Sequence, residues 1–417
     1  MRLKLFLMLF LGCSLTAFAQ MGNSPYSRIA FGDINPEGTI YNLGMGGIGV
    51  SNMSQAYPAV INPALLARHS IMSFDGGVLG QLRNLRSPSQ QENNMAANLN
   101  YANFVLPVSK YWSMGLGLRP YSFIDYLANT EERIPQTATI VRYRLKGVGG
   151  LSQVYWANGF KLYKGLSVGI QASYIFGQAV NENTASLLGN TQSYTVTAFE
   201  RYNYSTISTR MGIAYRQKIH KDNVYINFGA TTDLQANLRV IEYKALQRRT
   251  ASDEVSSADT IADLRGNATM PARYALGVSL EKPFAYTFGI DYSVQDWTNF
   301  TDARPTLPMA KAQKIGVCLE WTPNVNSVSN YFSRVSYRLG GHYAQTPLLI
   351  NGVQMEEYGA SVGFSMPLGR SISSLNFAVS YTQRGNATES TLQEQVVRLL
   401  LGVTINDPQW FVKRKIN

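Results

Sequence analysis

Two glycine-bearing motifs come closest to carrying chemistry. Gly44, Gly46 and Gly49 spell G-x-G-x-x-G, the spacing with which a strand-to-helix turn holds the pyrophosphate of a dinucleotide. That use needs an apolar strand before the motif, a helix after it and an acidic residue about 20 positions on. Here Pro58 and Pro63 break the stretch where the helix would run, and the acidic position falls near His69. Gly359-Ala360-Ser361-Val362-Gly363 has the G-x-S-x-G form of a nucleophile elbow, but it sits in uninterrupted apolar alternation, whereas an elbow turns sharply from strand into helix. His69, His220 and His342 show no metal-ligand spacing. No cofactor, metal or enzymatic reaction is expected from these residues.

The charged positions say more, once the elements that carry them are known. The chain has 417 residues, 45% hydrophobic and only 15% charged, with 35 Gly, 25 Tyr and 18 Phe. So little charge beside so many aromatics excludes a disordered tail or a coiled coil. No mature apolar run approaches the ~18 residues of a membrane helix. From about residue 70, segments of roughly ten residues alternate between apolar and small polar side chains. Leu166, Val168, Ile170, Ala172 and Tyr174 oppose Ser167, Gly169, Gln171 and Ser173; Tyr286, Phe288, Ile290 and Tyr292 oppose Thr287, Gly289, Asp291 and Ser293. A soluble sandwich places large charged residues on its second face, whereas an apolar outside and a small polar inside suit a barrel in lipid.

Six short links alternate with seven longer polar ones, among them 122–150, 178–203 and 235–270, which delimits 14 strands. The expected architecture is all-β: a 14-stranded antiparallel transmembrane barrel over 70–411, with short periplasmic turns and long extracellular loops. Tyr111, Trp112, Tyr163, Phe284, Tyr286, Trp321, Tyr331, Phe332, Trp410 and Phe411 would form one interfacial girdle. Tyr121, Phe123, Tyr126, Trp297 and Phe300 would form the other. A basic start, the apolar run Leu5 to Leu11 and Ala17-Phe18-Ala19 read as a signal peptide over 1–19; a lipoprotein leader cut before Cys13 is the rival, with a poor recognition match. With Cys13 gone, Cys318 has no disulfide partner. Residues 412–417 form a basic periplasmic tail.

Residues 20–69 do not alternate and are rich in Gly and Pro. A barrel this wide is not filled by its own side chains, so this segment is expected to plug the lumen as a hatch; an extension outside the barrel is the alternative. The stretch Leu43-Gly44-Met45-Gly46-Gly47-Ile48-Gly49-Val50-Ser51, then Ala56 and Asn62-Pro63-Ala64, resembles the hatch of the FadL family, the outer-membrane transporters of long-chain fatty acids and other hydrophobic compounds. Met270-Pro271-Ala272-Arg273-Tyr274 and Asp296-Trp297-Thr298-Asn299-Phe300 are similar to two of its strand ends. Ser24-Pro25-Tyr26-Ser27-Arg28 and the Trp410 to Asn417 end look instead like outer-membrane proteins of the Bacteroidota, where the same fold also serves as subunits of secretion and assembly machines.

By strand parity Arg119, Arg210, Arg338 and Arg398 point inward with Asp291, Glu281 and Glu320. A charge facing lipid at the midplane would cost about 2–4 kcal/mol. Either Arg119, Arg210 and Arg338 hold the anionic head of an amphipathic ligand whose tail lies along Ile175 and Leu400, or they pair with acidic residues and the hatch backbone. The resemblance implies passive uptake of hydrophobic or amphipathic molecules; a non-transporting subunit of an outer-membrane assembly or secretion complex is the second expectation. Outer-membrane lipids are expected partners, their anionic headgroups meeting the excess positive charge of the long loops and of the Lys413-Arg414-Lys415 tail. Nucleic acid is not an expected partner.

Overall fold

In a computed structural model of the chain, the described residues are 23–408 apart from 53, 55, 89, 138, 189–193, 221, 251, 303–307, 370 and 388–391. The leader and the basic tail, with Trp410 and Phe411, lie outside them. β1 (Asp33–Ile34) and a single helical turn, α1 (Ile40–Leu43), precede the wall. The wall begins with β2 (Met72–Arg86), β3 (Gln91–Pro107), β4 (Trp112–Arg133), β5 (Ile140–Tyr163), β6 (Leu166–Leu187), β7 (Thr195–His220) and β8 (Val224–Asp233). Beyond a hairpin formed by β9 (Ala236–Arg249) and β10 (Val255–Met270), it resumes with β11 (Arg273–Lys282), β12 (Tyr286–Asp296), β13 (Lys311–Trp321), β14 (Ser336–Ile350), β15 (Val353–Pro367), β16 (Ser374–Arg384) and β17 (Gln393–Asp407). Each wall strand pairs antiparallel with the next, β8 pairs directly with β11, and β17 closes on β2 from Gln393↔Arg86 to Asp407↔Met72. This is the closed 14-stranded antiparallel barrel expected from the alternation, an integral β-barrel of the outer-membrane type.

Three of the seventeen strands among the described residues lie outside the ring. They are β1 and the β9–β10 hairpin, in which β9 pairs with the upper half of β7 (Thr195–Ser205). The sequence pattern makes this stretch a loop; the structure makes it sheet. The same holds for 122–150 and 178–203, where β4, β5, β6 and β7 continue above the membrane. Above the lipid band the outer face no longer has to be apolar, so the pattern fades although the ladder persists.

Parity within the membrane is as the residues require. Along β6, Ser167, Gln171 and Ser173 are buried while Ile170, Tyr174 and Phe176 are exposed. Tyr111, Tyr163, Phe284, Tyr286, Trp321, Tyr331 and Phe332 are exposed at the short-turn end, as a girdle requires. The second girdle must be reassigned. Phe123, Tyr126, Trp297 and Phe300 are buried, and Tyr121, Trp297 and Phe300 turn in over the lumen around Phe31 of the N-terminal segment. Phe31 lies 5.8 Å from both Trp297 and Phe300. The outer aromatic level consists instead of Tyr174, Tyr274, Tyr292, Tyr358 and Tyr381.

One ladder is incomplete. β3 and β4 pair only from Ala102↔Leu118 to Pro107↔Ser113. Above that point β4 faces the N-terminal segment: β1 pairs through Asp33↔Phe123 and Ile34↔Ser122. Ser24 N–H donates to the Asp125 carbonyl at 2.7 Å and Asn35 N–H to that of Tyr121 at 2.9 Å. Asn23 bonds Leu127 from both ends of its side-chain amide, at 2.9 and 3.0 Å, and reaches Glu92 of β3 at 3.1 Å.

Lumenal glycines admit the segment's backbone. A Cβ on Gly340 would lie 2.1 Å from the Met45 carbonyl carbon, one on Gly169 2.3 Å from Ala64 N, and one on Gly229 2.0 Å from the Val50 oxygen. Gly80, by contrast, has its nearest neighbour at 3.9 Å. Gly169→Val and Gly340→Val should therefore displace the segment and raise single-channel conductance in planar bilayers, while Gly80→Ala leaves conductance unchanged.

Candidate functional site

The two motifs that failed as catalytic signatures dock on each other. Gly44 and Gly363 approach so closely that a Cβ on either would lie 3.0 Å from the other's Cα. Gly46 N–H donates to Ser361 Oγ at 2.8 Å. Gly46 (φ +72°) and Gly47 (φ +80°) take a left-handed turn there, open to glycine at little cost. Gly49 N–H and Val50 N–H both donate to Asp291 Oδ2 at 2.8 Å, so the glycine loop does cradle an anion, the carboxylate of its own barrel. Asn62 caps the 3-10 turn Pro63–Arg68, accepting from Ala64 N–H at 3.0 Å and donating to the carbonyls of Val50 (2.8 Å) and Ile213 (3.2 Å). Pro63 at the first position of that turn sets its φ.

Arg119, Arg210 and Ile175 line one lumenal cavity of about 200 Å3. The two arginines do not stand free. Glu37, from the N-terminal segment, meets Arg210 at 2.5 Å, Arg273 at 3.0 Å and Arg119 at 3.4 Å. Arg210 also pairs with Asp233 and donates to the Ile61 carbonyl. Burial would raise the Glu37 carboxyl, but the three guanidiniums outweigh it and hold the group well below the usual carboxylate range. A second node joins Asp33 to Arg384 at 3.1 Å, Arg384 to Glu357 at 2.9 Å, and Glu357 to His342 at 3.1 Å. Arg338 lies apart from both, pairing with Glu320 at 3.4 Å and stacking over Tyr41 (4.3 Å) and Tyr57 (5.1 Å).

Leu400 lines a different space, of about 180 Å3, together with apolar Leu43 and Leu79 and with Lys314, His342, Glu357, Arg384, Arg398 and Asn100. Among the described residues the buried Asn100 amide nitrogen and His342 Nδ1 have no hydrogen-bond partner. Lys314 also borders the Arg119 cavity. The structure thus brings Arg119, Arg210 and Ile175 together, puts Leu400 in the adjoining space and leaves Arg338 elsewhere. The sequence pattern did not single out Lys314, although its signal was present: Ile315, Val317 and Leu319 face outward, so Lys314 faces in. Asp33 and Glu37 lie in a stretch without period, where parity offers no guide.

Where the N-terminal segment leaves the lumen, His69 is buried against Ser73, its Nε2 2.6 Å from Ser73 Oγ, and its carbonyl accepts from Ser113 at 2.9 Å. At the periplasmic mouth below Tyr41 and Tyr57 a cavity of about 390 Å3 opens, walled by Phe284 and Ile372.

These anchors make two measurements decisive. Glu37→Gln leaves three buried arginines short of a counter-charge and should lower stability in detergent by roughly 3 kcal/mol, read from denaturant unfolding, with earlier proteolysis of the N-terminal segment. Burial pushes the His69 imidazole down to about 4 from 6.5. The unfolded chain binds that proton first, so stability is intact above pH 6.5 and falls as pH drops from 6.5 through 4, by about 3 kcal/mol in full. His69→Asn should flatten that part of the pH–stability curve.

The chain's likenesses among known proteins come from solved structures and a family model. The Pseudomonas putida toluene transporter TodX superposes with a TM-score of 0.58 at 15% identity, over 90% of this chain and 99% of that one. A Pseudomonas aeruginosa FadL homologue gives 0.58 at 12% identity, over 90% and 99%. The Ralstonia pickettii toluene transporter TbuX gives 0.57 at 15%, over 89% and 98%. At these identities the likeness establishes a shared fold, the FadL-type barrel suggested by the hatch-like residues. No curated protein matches the sequence. The model of the BamG family matches residues 1–417, and the chain belongs to the BamG family.

Proposed function

We propose that this barrel takes up small hydrophobic or amphipathic molecules, of the kind of long-chain fatty acids, from the outside of the cell. The observation that supports it most directly is the mixed apolar and basic lining of the lumenal space at Leu400. Leu43, Leu79 and Leu400 supply apolar surface, and the same space is lined by Lys314, Arg398, the Glu357 carboxylate already paired with Arg384 and His342, and a buried Asn100 amide nitrogen without an acceptor among the described residues. Buried donors left without acceptors are costly, and an anionic head with an apolar tail would satisfy both at once. Residues 23–69 act as the hatch, with Asp33 and Glu37 as its anchors, and passage requires those anchors to release. Similarity of fold to channels for monoaromatic hydrocarbons is in keeping with this reading.

The test is retention of oleate by the purified barrel. Wild type should bind it in detergent, and Lys314→Gln with Arg398→Gln should weaken binding at least about tenfold, the equivalent of one lost charged contact, while leaving the heat-resistant barrel intact. Equal retention by wild type and the double variant would remove the basis of the proposal.

A second reading has one observation in its favour. In the β9–β10 hairpin, among the described residues, β10 carries a ladder on one side only over most of its length, with its base held by Thr269 N–H donating to Thr301. A one-sided strand above the membrane is a place where another chain's strand can add, as a subunit of an assembly or secretion complex would use. Stoichiometric co-purification of other outer-membrane proteins that is lost on deleting 236–270 would favour this role.

A further inference from the structure

The outer face of the same sheet carries a basic patch that neither the lumen nor the strand edge accounts for. On β7, Tyr202 and Tyr204 are buried toward the lumen, as are Leu238 and Val240 on β9 and Ala268 on β10. The residues of opposite parity therefore face outward, and among them Arg201, Arg239 and Arg265 are all exposed. Among the described residues none of these guanidiniums pairs with a carboxylate; Arg201 lies over the Tyr243 ring at 5.3 Å. Arg142, on the neighbouring β4–β5 extension, is by contrast paired with Glu131 at 2.8 Å.

Register sets the height of the patch. Arg239 pairs across with Ser205, and Ser205 with Phe176. Phe176 is exposed to the outside and stacked on Tyr174 at 5.3 Å, at the outer aromatic level. Directly below, Ile207 is 73% exposed. Arg265 sits one row above, opposite Ile241, and Arg201 a further row up, opposite Tyr243. Arg239 and Arg265 are thus diagonal neighbours on adjacent strands, roughly 7–8 Å apart and somewhat less at the β-carbon, close enough for both side chains to reach one phosphate. Asp263, an acidic residue on this face, lies at the top of the patch beside Tyr243. An apolar band, then an aromatic row, then three unpaired guanidiniums is the order of groups met by a phosphorylated lipid standing in the outer leaflet: acyl chains, carbonyl region, phosphate.

We infer that Arg201, Arg239 and Arg265 form a binding site for the phosphorylated headgroup of an outer-leaflet lipid, with its acyl chains lying along Ile207 and Phe176. Guanidinium forks match phosphate oxygens in pairs, and next to a membrane surface each such contact adds to affinity. The site lies on the outside of the wall and is independent of whether the lumen conducts.

The experiment uses the full-length barrel in detergent and native mass spectrometry. Delipidated protein is mixed with phosphorylated lipid A, with lipid A stripped of phosphate, or with inorganic phosphate. The wild type should retain the phosphorylated lipid, bind the stripped lipid far more weakly and show no competition from millimolar inorganic phosphate. The triple variant R201Q/R239Q/R265Q should lose affinity by on the order of a hundredfold, as expected for three basic contacts at a membrane surface. Arg142→Gln should behave as wild type, and heat-modifiable migration verifies that each variant is folded. Equal binding by the triple variant, equal binding of stripped lipid, or displacement by inorganic phosphate would each overturn the assignment. So would loss of a co-purifying acidic protein from the triple variant with lipid retention unchanged.

Discussion

A strand in hydrocarbon has no water to satisfy its backbone, so every N–H and C=O of the wall must find a partner in protein. Most of the architecture answers to that requirement. Apart from bulges such as that between Gly77 and Val78 in the β2–β3 ladder, the wall's ladders, including β17 to β2, run on from strand to strand, but β3 and β4 separate above Ala102 and Leu118. There the missing partner is the chain's own N-terminal segment, whose backbone donors and side-chain amides take up positions along β4 from Tyr121 to Leu127. The segment is therefore part of the wall at one end and part of the lumen filling at the other.

Inside, the governing quantity is charge without water. The lumen holds many arginines, and those that parity turns inward are mostly matched by carboxylates. Two of those carboxylates, Asp33 and Glu37, come from the N-terminal segment, so its position and the neutralisation of the lumen are one problem with one solution. The glycines solve the steric half of it. Gly169, Gly229 and Gly340 let backbone lie against backbone, where any side chain would collide. Close approach then brings the loop N–H groups onto Asp291 and Ser361.

The wall was legible because a lipid-facing strand must alternate, and parity alone assigned Arg119, Arg210, Ile175 and Leu400 to the interior. Three features were not legible, each for a physical reason. A ladder that parts, as between β3 and β4, changes no residue type. The β9–β10 hairpin stands in water, where alternation is relaxed. Trp297 and Phe300 were assigned to a girdle because aromatics near long loops suit an interface equally well; their burial depends on Phe31, remote in sequence and in a segment without period. At the lumenal site the sequence named two of the three cations of the Glu37 node, Arg119 and Arg210, but neither Arg273 nor the anion that gathers them. A lone acidic residue among prolines and glycines carries no mark of its destination.

The path of the first described residues ties the filling of the lumen to the closure of the ring. The segment begins at the β3–β4 opening, passes down the lumen and leaves beside His69 at the opposite end, where β2 starts. β2 is thus both the continuation of the lumenal segment and one edge of the seam that closes the wall, from Gln393↔Arg86 to Asp407↔Met72. A pull on the segment at its His69 end is therefore carried directly into that seam through Ser73, which contacts both His69 and Asn406 of β17.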